Sequence, residues 1–334
     1  TACAGNTAET TSAAAKTQET AADTASKAEE TTGAEASESE TAAKAEGTTY
    51  KIGVLQLVQH TALDAANDGF IAALDDAGIA YEVDQQNASG DQSACQTVAS
   101  KFANEKKDLI LAIATPAAQA MVGAVEDTPV LITAVTDPAE SGLVDTNEKP
   151  GANVTGTSDL TPVKEQIDLL KQLVPEAKTV GVLYCSAESN SKIQADMAKE
   201  AIAAAGMESK EYTVSSSNEI QTVVQSMVGA VDAVYAPTDN VIAAGMATVG
   251  MVAGDNNLPV ICGEAGMVQN GGLATYGIDY YQLGYMTGQQ AVKILTEGAS
   301  PADMPIEYLP AEKCELTVNE ETAQTLGIDV SGLK

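Results

Sequence analysis

The sequence predicts an α/β protein built as two doubly wound lobes, and three observations carry that expectation. From Tyr50 onward, short continuously apolar runs alternate with segments of helical spacing, as in a parallel sheet covered on both faces by crossover helices. The alternation halts between Val135 and Asp159 and then restarts, so one architectural unit is written twice. After a polar leading stretch, roughly 285 residues remain, enough for two lobes of ordinary domain size.

The elements follow in order. Residues 1–49 are dominated by Ala, Thr, Ser, Glu and Lys and hold no sustained apolar period, which predicts a solvated, disordered linker. A strand is expected at 52–58 and a helix at 62–77 that stops at Gly78. Strands at 80–83, 108–113 and 129–133 alternate with helices at 92–104 and 116–125. The 135–159 stretch carries two prolines and several glycines and reads as a crossover. The second block then runs helix 163–173, strand 179–184, helix 192–205, strand 208–214, helix 219–227 and strand 231–235. It continues with helix 241–253, strands 259–262 and 273–277, and helix 281–297. Residues 306–326 offer two short strands and a short helix. The expected partition is 50–155 with about 280–304 in one lobe, and 156–279 with about 305–334 in the other. Hinges are expected near 135–159, 277–279 and 305–310.

Composition excludes several function classes. The net charge is −30 and every cation is Lys, with no Arg in the chain; such a surface repels phosphate backbones, so nucleic acid is not an expected partner. Without a bidentate guanidinium, an anionic ligand group must be held by backbone amides, hydroxyls or Lys. The five cysteines, Cys3, Cys95, Cys185, Cys262 and Cys314, show neither C-x-x-C pairing nor metal-ligand spacing. Four of them lie in the folded part and read as buried small hydrophobes. His60 is the sole histidine, which argues against histidine-based metal sites and nucleophilic catalysis. No G-x-G-x-x-G follows the first strand, so no dinucleotide cofactor is expected. Asp64, Asp137, Glu188, Asp239 and Glu264 could supply acid–base pairs in a cleft, but no nucleophile–base pairing accompanies them, and an enzyme is not the expected class.

Ligands of doubly wound sheets bind outside the carboxyl ends of the strands, and two facing lobes put that place in the cleft between them. The strand-end loops are Gln59-His60-Thr61, 114–119 and 134–138 in the first block. In the second they are 186–191, Ala236-Pro237-Thr238-Asp239-Asn240 and Gly263-Glu264. Hydroxyls, amides and carboxylates at helix starts are ordinary caps. Six such loops meeting in one cleft also suit an amino acid, its carboxylate on helix N-termini and its ammonium on Asp or Glu.

Several strings carry a family resemblance. Leu55-Gln56-Leu57-Val58-Gln59-His60 followed by Ala62-Leu63-Asp64-Ala65-Ala66 resembles the opening of the tryptophan/tyrosine-type substrate-binding proteins of ABC importers. So do 113–119, 133–138, 153–156, 214–217, Pro237-Thr238-Asp239-Asn240 and 274–281, the last containing Asp279. The resemblance spans 50 to about 327. It implies a type I periplasmic-binding-protein architecture, two Rossmann-like lobes joined by three crossovers and closing on a ligand in Venus-flytrap fashion, and no cofactor. It implies an aromatic amino acid as ligand, with a branched-chain amino acid or a sugar as the alternative for the same fold, and an ABC permease as partner. By the same resemblance, Thr115 with the amides of Ala117 and Ala118, and Thr136, would hold the ligand carboxylate. Asp239 would meet the ammonium, with Thr238, Asn240, Asp137 and Glu188 in the same strand-end loops. Ser189 and Asn190 would close over the polar end, and Gln59, His60 and Leu63 would line the side-chain end. Glu264 departs from the family pattern, which has a smaller polar residue there; it would add an ammonium partner or exclude the usual ligand. At the head of the chain, Thr1-Ala2-Cys3-Ala4-Gly5 resembles the end of a bacterial lipobox, implying a lipid on Cys3 and an extracytoplasmic protein tethered to the outer face of the membrane.

Overall fold

The computed structural model describes residues 47–333. The expected linker up to residue 46 and the lipidation site Cys3 lie outside them. The elements are β1 (Tyr50–Gln56), α1 (Thr61–Asp76), β2 (Tyr81–Asn87), α2 (Gln92–Glu105), β3 (Leu109–Ile113), α3 (Thr115–Val122) and β4 (Val130–Val135). They continue with β5 (Val154–Ser158), α4 (Val163–Leu173), β6 (Thr179–Cys185), α5 (Ser189–Ala204), β7 (Glu208–Val214), α6 (Ile220–Met227) and β8 (Ala233–Ala236). The remainder is α7 (Asn240–Ala244), α8 (Met246–Asp255), β9 (Val260–Cys262), α9 (Ala265–Gln269), β10 (Ala274–Gly277), α10 (Tyr280–Glu297), β11 (Glu307–Tyr308), β12 (Glu315–Val318) and α11 (Glu320–Leu326).

Two six-stranded sheets result, ordered β11-β5-β4-β3-β1-β2 and β12-β10-β9-β8-β6-β7. All pairings are parallel except that of β12 with β10. The central strands β3 and β4 are buried at every residue, as their sequences, apolar but for Thr133, lead one to expect. The edge strands β2 (YEVDQQN) and β7 (ESKEYTV) are instead polar and half exposed, which discourages pairing with another chain.

Three differences from expectation matter for the site. The 135–159 stretch contains a strand: β5, Val-Thr-Gly-Thr-Ser, is buried throughout despite its polarity. Its hydroxyls account for that, since Thr133 Oγ1, Thr157 Oγ1 and Thr287 Oγ1 form a buried chain at 2.9 and 2.8 Å. The first crossover therefore begins at Asp159. Second, β11 pairs with β5 in the first sheet, so the segment from 305 to 308, expected in the second lobe, packs with the first, and the third crossover falls after Tyr308. Third, the single helix expected over 241–253 is broken at Gly245 into α7 and α8, and α9 appears between β9 and β10 where none was expected.

Helix α1, which carries His60 at its start, is fixed by close packing on α10. A Cβ at Gly284 would lie 1.8 Å from Ala66 O, and one at Gly69 would lie 1.9 Å from Tyr281 O. Only bare backbone allows that approach. Gly284→Val is accordingly expected to destabilise the protein by about 1–3 kcal/mol or more through overpacking, read as a lower urea midpoint at unchanged slope.

The second sheet is bound to its helices by a buried amide. Gln166 Nε2 donates to Gly263 O and Tyr276 O at 3.1 and 2.7 Å, and Tyr235 Oη donates to Gln166 Oε1 at 2.7 Å. Cys95, Cys185, Cys262 and Cys314 are free thiols. Among the described residues no helix is long and apolar enough to cross a membrane.

Candidate functional site

The strand ends of both sheets line one small, tightly filled cavity. His60, Ala62 and Leu63 reach it from α1, Ala134 from the end of β4, and Asp159 from the first crossover. Asn190, Thr238, Asp239, Asn240, Ala243 and Glu264 close it from the second lobe, and Tyr280 from the head of α10. The room left between these side chains is on the order of one water molecule, so a larger ligand enters only where the lobes part. A wider cleft adjoins it through Asn240, lined by Leu57, Val58, Pro116, Glu188 and Ser215 among others.

The lobes are drawn together over this space. His60 Nε2 meets Asn240 Oδ1 at 3.2 Å, Gln194 Nε2 donates to Thr136 Oγ1 at 3.1 Å, and Gln119 Nε2 donates to Ser189 Oγ at 3.3 Å. Each bond joins the first lobe to the second.

Four carboxylates around the cleft are buried: Asp159, Glu188, Asp239 and Glu264. No Lys lines the cavity. Their environments differ. Asp239 Oδ2 accepts from Cys185 N at 2.5 Å and Oδ1 from Ile242 N at 2.8 Å, so the residue expected to meet an ammonium caps α7 and ties it to β6. Glu264 caps α9, accepting from Gly266 N and Met267 N at 2.5 and 2.7 Å. Glu188 gathers Asn190 Nδ2, Asn240 N and Asn240 Nδ2 on its Oε2. The side-chain partners of Asp159 are hydroxyls, Thr136 at 3.1 Å and Tyr280 at 2.7 Å. Burial without a cation pushes all four carboxyls above their ordinary values, Glu264 to about 7, against the opposing pull of their hydrogen bonds.

Two cavity-lining residues carry a buried polar atom without a partner, His60 Nδ1 and Asn190 Oδ1, and Thr115 Oγ1 is a third, next to the cleft residue Pro116. Buried polar atoms are normally satisfied; among the described residues Asn67 Oδ1, Ser141 Oγ, Thr161 Oγ1 and Gln290 Oε1 are unpartnered as well. Backbone strain coincides with the first three. Ala114 and Ala134, at the ends of β3 and β4, hold φ of 84° and 54°, conformations that cost about 1–3 kcal/mol and gather at functional sites. Ala114 supplies no side-chain cap to α3, leaving its N-terminus for an anion.

The other expected residues divide. Leu63 lines the cavity and Thr238 Oγ1 accepts from Gln194 Nε2 at 2.6 Å. Ala118 N is already bonded to Ala114 O at 3.0 Å, which leaves Ala117 of the two expected amides. The Thr136 hydroxyl is spent on Asp159. Asp137 braces its own loop by accepting from Glu140 N and Asn147 Nδ2. Asp279 is exposed and caps α10 through Gln282 N, and Gln59 faces solvent. Asp159 and Tyr280 were not among the expected site residues. The available signal was an acid next to a strand end in a chain whose cleft loops hold no cation, but β5 itself went unread.

Two doubly wound lobes, three crossovers and a closed, acid-lined cavity between them define a small-molecule receptor of the periplasmic-binding type. The chain belongs to the ABC transporter substrate binding protein family, whose model matches residues 51–332; it is a solute-binding protein and not an enzyme. It is 45% identical over 279 residues to a tyrosine-binding protein of Clostridioides difficile (strain R20291), covering 82% of this chain and 80% of that one. A Streptococcus pneumonia structure in complex with L-Trp superposes with a TM-score of 0.82 at 39% identity, over 85% of this chain and 97% of that one. The ligand-free, open structure of a substrate binding protein with adhesive properties from Clostridium difficile gives 0.65 at 46% identity, with the same coverage of 85% and 97%. The better match at lower identity is to the ligand-bound protein, in keeping with the lobe-to-lobe bonds described above.

Proposed function

We propose that this protein captures an L-amino acid with an aromatic side chain outside the cytoplasm and hands it to an ABC permease. The observation that carries the reading is the set of buried carboxylates around a cavity that no Lys lines and whose one imidazole, His60, burial holds toward the neutral form. Such charge is costly unless a cation joins it, and an α-ammonium is that cation. Asp159 is its principal partner, with Glu264 and the open Asn190 Oδ1 beside it. The α-carboxylate rests at the start of α3, on Thr115 Oγ1 and the amide of Ala117. The ring lies along Leu63 and Ala243 toward His60. The Trp complex and the tyrosine-binding relative support an aromatic ligand for this chain.

Closure follows from this placement. Asp159 lies on the first crossover and Tyr280 immediately after the second, so their 2.7 Å bond joins the two hinges at the point where the ammonium sits. A ligand that bridges both lobes at that point shifts the population from open to closed. The tether through Cys3 rests on the lipobox resemblance and is tested by loss of fatty-acyl labelling in Cys3→Ser.

Titration calorimetry on ligand-stripped protein tests the reading with L-tyrosine, L-tryptophan, L-phenylalanine, L-leucine, ribose and the deaminated analogue 3-(4-hydroxyphenyl)propionate. Saturable binding of aromatic amino acids with no binding of the deaminated acid is expected. Equal binding of the deaminated acid would remove the carboxylates from the role assigned to them, and heat from ribose alone would replace the ligand class. Thr115→Val, which deletes one donor to the ligand carboxylate, is expected to weaken tyrosine binding by roughly ten- to a hundredfold, in line with about 1.5–3 kcal/mol for a hydrogen bond to a charged group. An unchanged constant would place the carboxylate elsewhere.

A further inference from the structure

We infer that His60 is the residue by which this receptor reads a hydrogen-bond donor on the ligand's ring, so that a phenol or indole is preferred to a bare phenyl group. The inference rests on the proposed aromatic amino-acid ligand and specifies what selects among the candidates.

The argument is a chain of donors and acceptors fixed at its far end. Glu188 Oε2 accepts from the backbone N–H of Asn240 at 3.3 Å, and a backbone amide has only a proton to offer. Asn190 Nδ2, whose bond to the carbonyl of Thr238 fixes it as the amide nitrogen, donates to the same oxygen at 3.1 Å, so both lone pairs of Oε2 are engaged and any proton on this carboxyl sits on Oε1. The side-chain atom of Asn240 that lies 2.7 Å from it must then be the NH2 group, which turns Asn240 Oδ1 toward His60. Asn240 Oδ1 can only accept, so His60 Nε2, 3.2 Å away, carries the ring proton. The remaining nitrogen, Nδ1, is left as a bare acceptor in the neutral ring. It is buried and has no partner.

The position of His60 agrees with a ligand-reading role. It stands at the N-cap of α1 in extended conformation, where Ser, Thr, Asp or Asn would stabilise the helix, yet its side chain makes no capping bond. Its neighbours on the cavity wall, Ala62, Leu63 and Ala243, are apolar. An aromatic ring lies against such a wall at no cost, and a donor at its edge satisfies the open nitrogen. A phenyl ring covers Nδ1 without satisfying it, which is the costly case for a buried polar atom.

Because the chain has a single histidine, its imidazole can be watched without assignment ambiguity. In protein labelled with 15N-histidine, the two nitrogen resonances of the free protein should show a protonated Nε2 and a bare Nδ1. Saturation with L-tyrosine or L-tryptophan should move Nδ1 toward a hydrogen-bonded acceptor, and L-phenylalanine should leave it in place. In calorimetry the unaltered protein should bind tyrosine or tryptophan at least tenfold more tightly than phenylalanine. His60→Leu removes the bond to Asn240 for every ligand and should in addition weaken tyrosine and tryptophan, bringing the three within about threefold of one another. Equal losses for all three ligands in His60→Leu, or an Nδ1 resonance that responds to phenylalanine as it does to tyrosine, would overturn the inference while the receptor assignment stands. Absence of binding by any aromatic amino acid would take both down. The spectroscopic measurement needs no variant and decides the matter even where His60→Leu fails to fold.

Discussion

Asp159→Asn is expected to weaken binding of L-tyrosine by about 30-fold or more while making the unliganded protein more stable. The two effects have one cause. Asp159 is a buried carboxylate whose side-chain partners are the hydroxyls of Thr136 and Tyr280. It lacks the bonds from Cys185 N and Ile242 N that engage Asp239, and no Lys stands on the cavity wall. In the free protein that negative charge is a cost, and the neutral amide relieves it while its oxygen still accepts a hydroxyl. In the complex the same charge neutralises the ligand's ammonium, and truncating one member of a buried charge pair costs about 2–5 kcal/mol. Asp239→Asn should behave in the opposite way, losing stability through the cap of α7 and changing affinity little. Melting temperatures and calorimetric titrations on both variants check this crossed pattern. If Asp239→Asn abolishes binding and Asp159→Asn does not, the ammonium lies with Asp239 and the reading of the hinge carboxylate is wrong.

The unliganded protein is expected to be more stable at pH 5 than at pH 8, and saturating tyrosine should cancel most of that difference. Burial holds the Glu264 carboxyl at about 7, against an ordinary value of 4.5, and raises Asp159, Glu188 and Asp239 in the same direction. A carboxyl with a higher pKa folded than unfolded binds more protons in the folded state between the two values. Stability therefore falls as pH rises through that window, here from about 4.5 to about 7 for Glu264. One such group contributes about 2–4 kcal/mol at about 1.4 kcal/mol per pH unit, which is on the order of 5–10 °C in melting temperature for a chain of this size. The ligand's ammonium favours the ionised carboxylates, so binding should release protons near pH 6, visible as buffer-dependent heats. The −30 net charge adds a general preference for acid. Glu264→Gln separates the two, because it removes one cleft carboxyl and hardly alters the total; the slope with pH should flatten. Equal or greater stability at pH 8 than at pH 5 would contradict the unbalanced cleft.

How much of this could be read without coordinates depended on whether the signal was local. β1, β3, β4 and β6 are short apolar runs, and strands buried on both faces announce themselves that way. β5 did not, because its burial is sustained by hydroxyls from Thr133 and Thr287, one in a neighbouring strand and the other in a helix 130 residues away. The break between α7 and α8 and the short α9 were equally silent. At the site, His60, Asn190, Thr238, Asp239, Asn240 and Glu264 were legible as strand-end residues and Leu63 through the family resemblance, and all of them line the cavity. Asp159 and Tyr280 were not, since their significance comes from two crossovers meeting in space.

The sequence by itself determined the architecture, two α/β units written in succession, and the polar strand-end loops that face the cleft. Both are properties of neighbouring residues: period, apolarity and loop chemistry repeat over a few positions. Only the tertiary structure decided which carboxylate caps a helix and which stays open, where the hinges begin, and which nitrogen of His60 is left bare. Those outcomes depend on hydrogen-bond partners far away in the chain. Glu188 orients Asn240, and Asn240 in turn sets the proton of His60, 180 residues earlier. A donor or acceptor cannot be counted as free until every such partner has been placed.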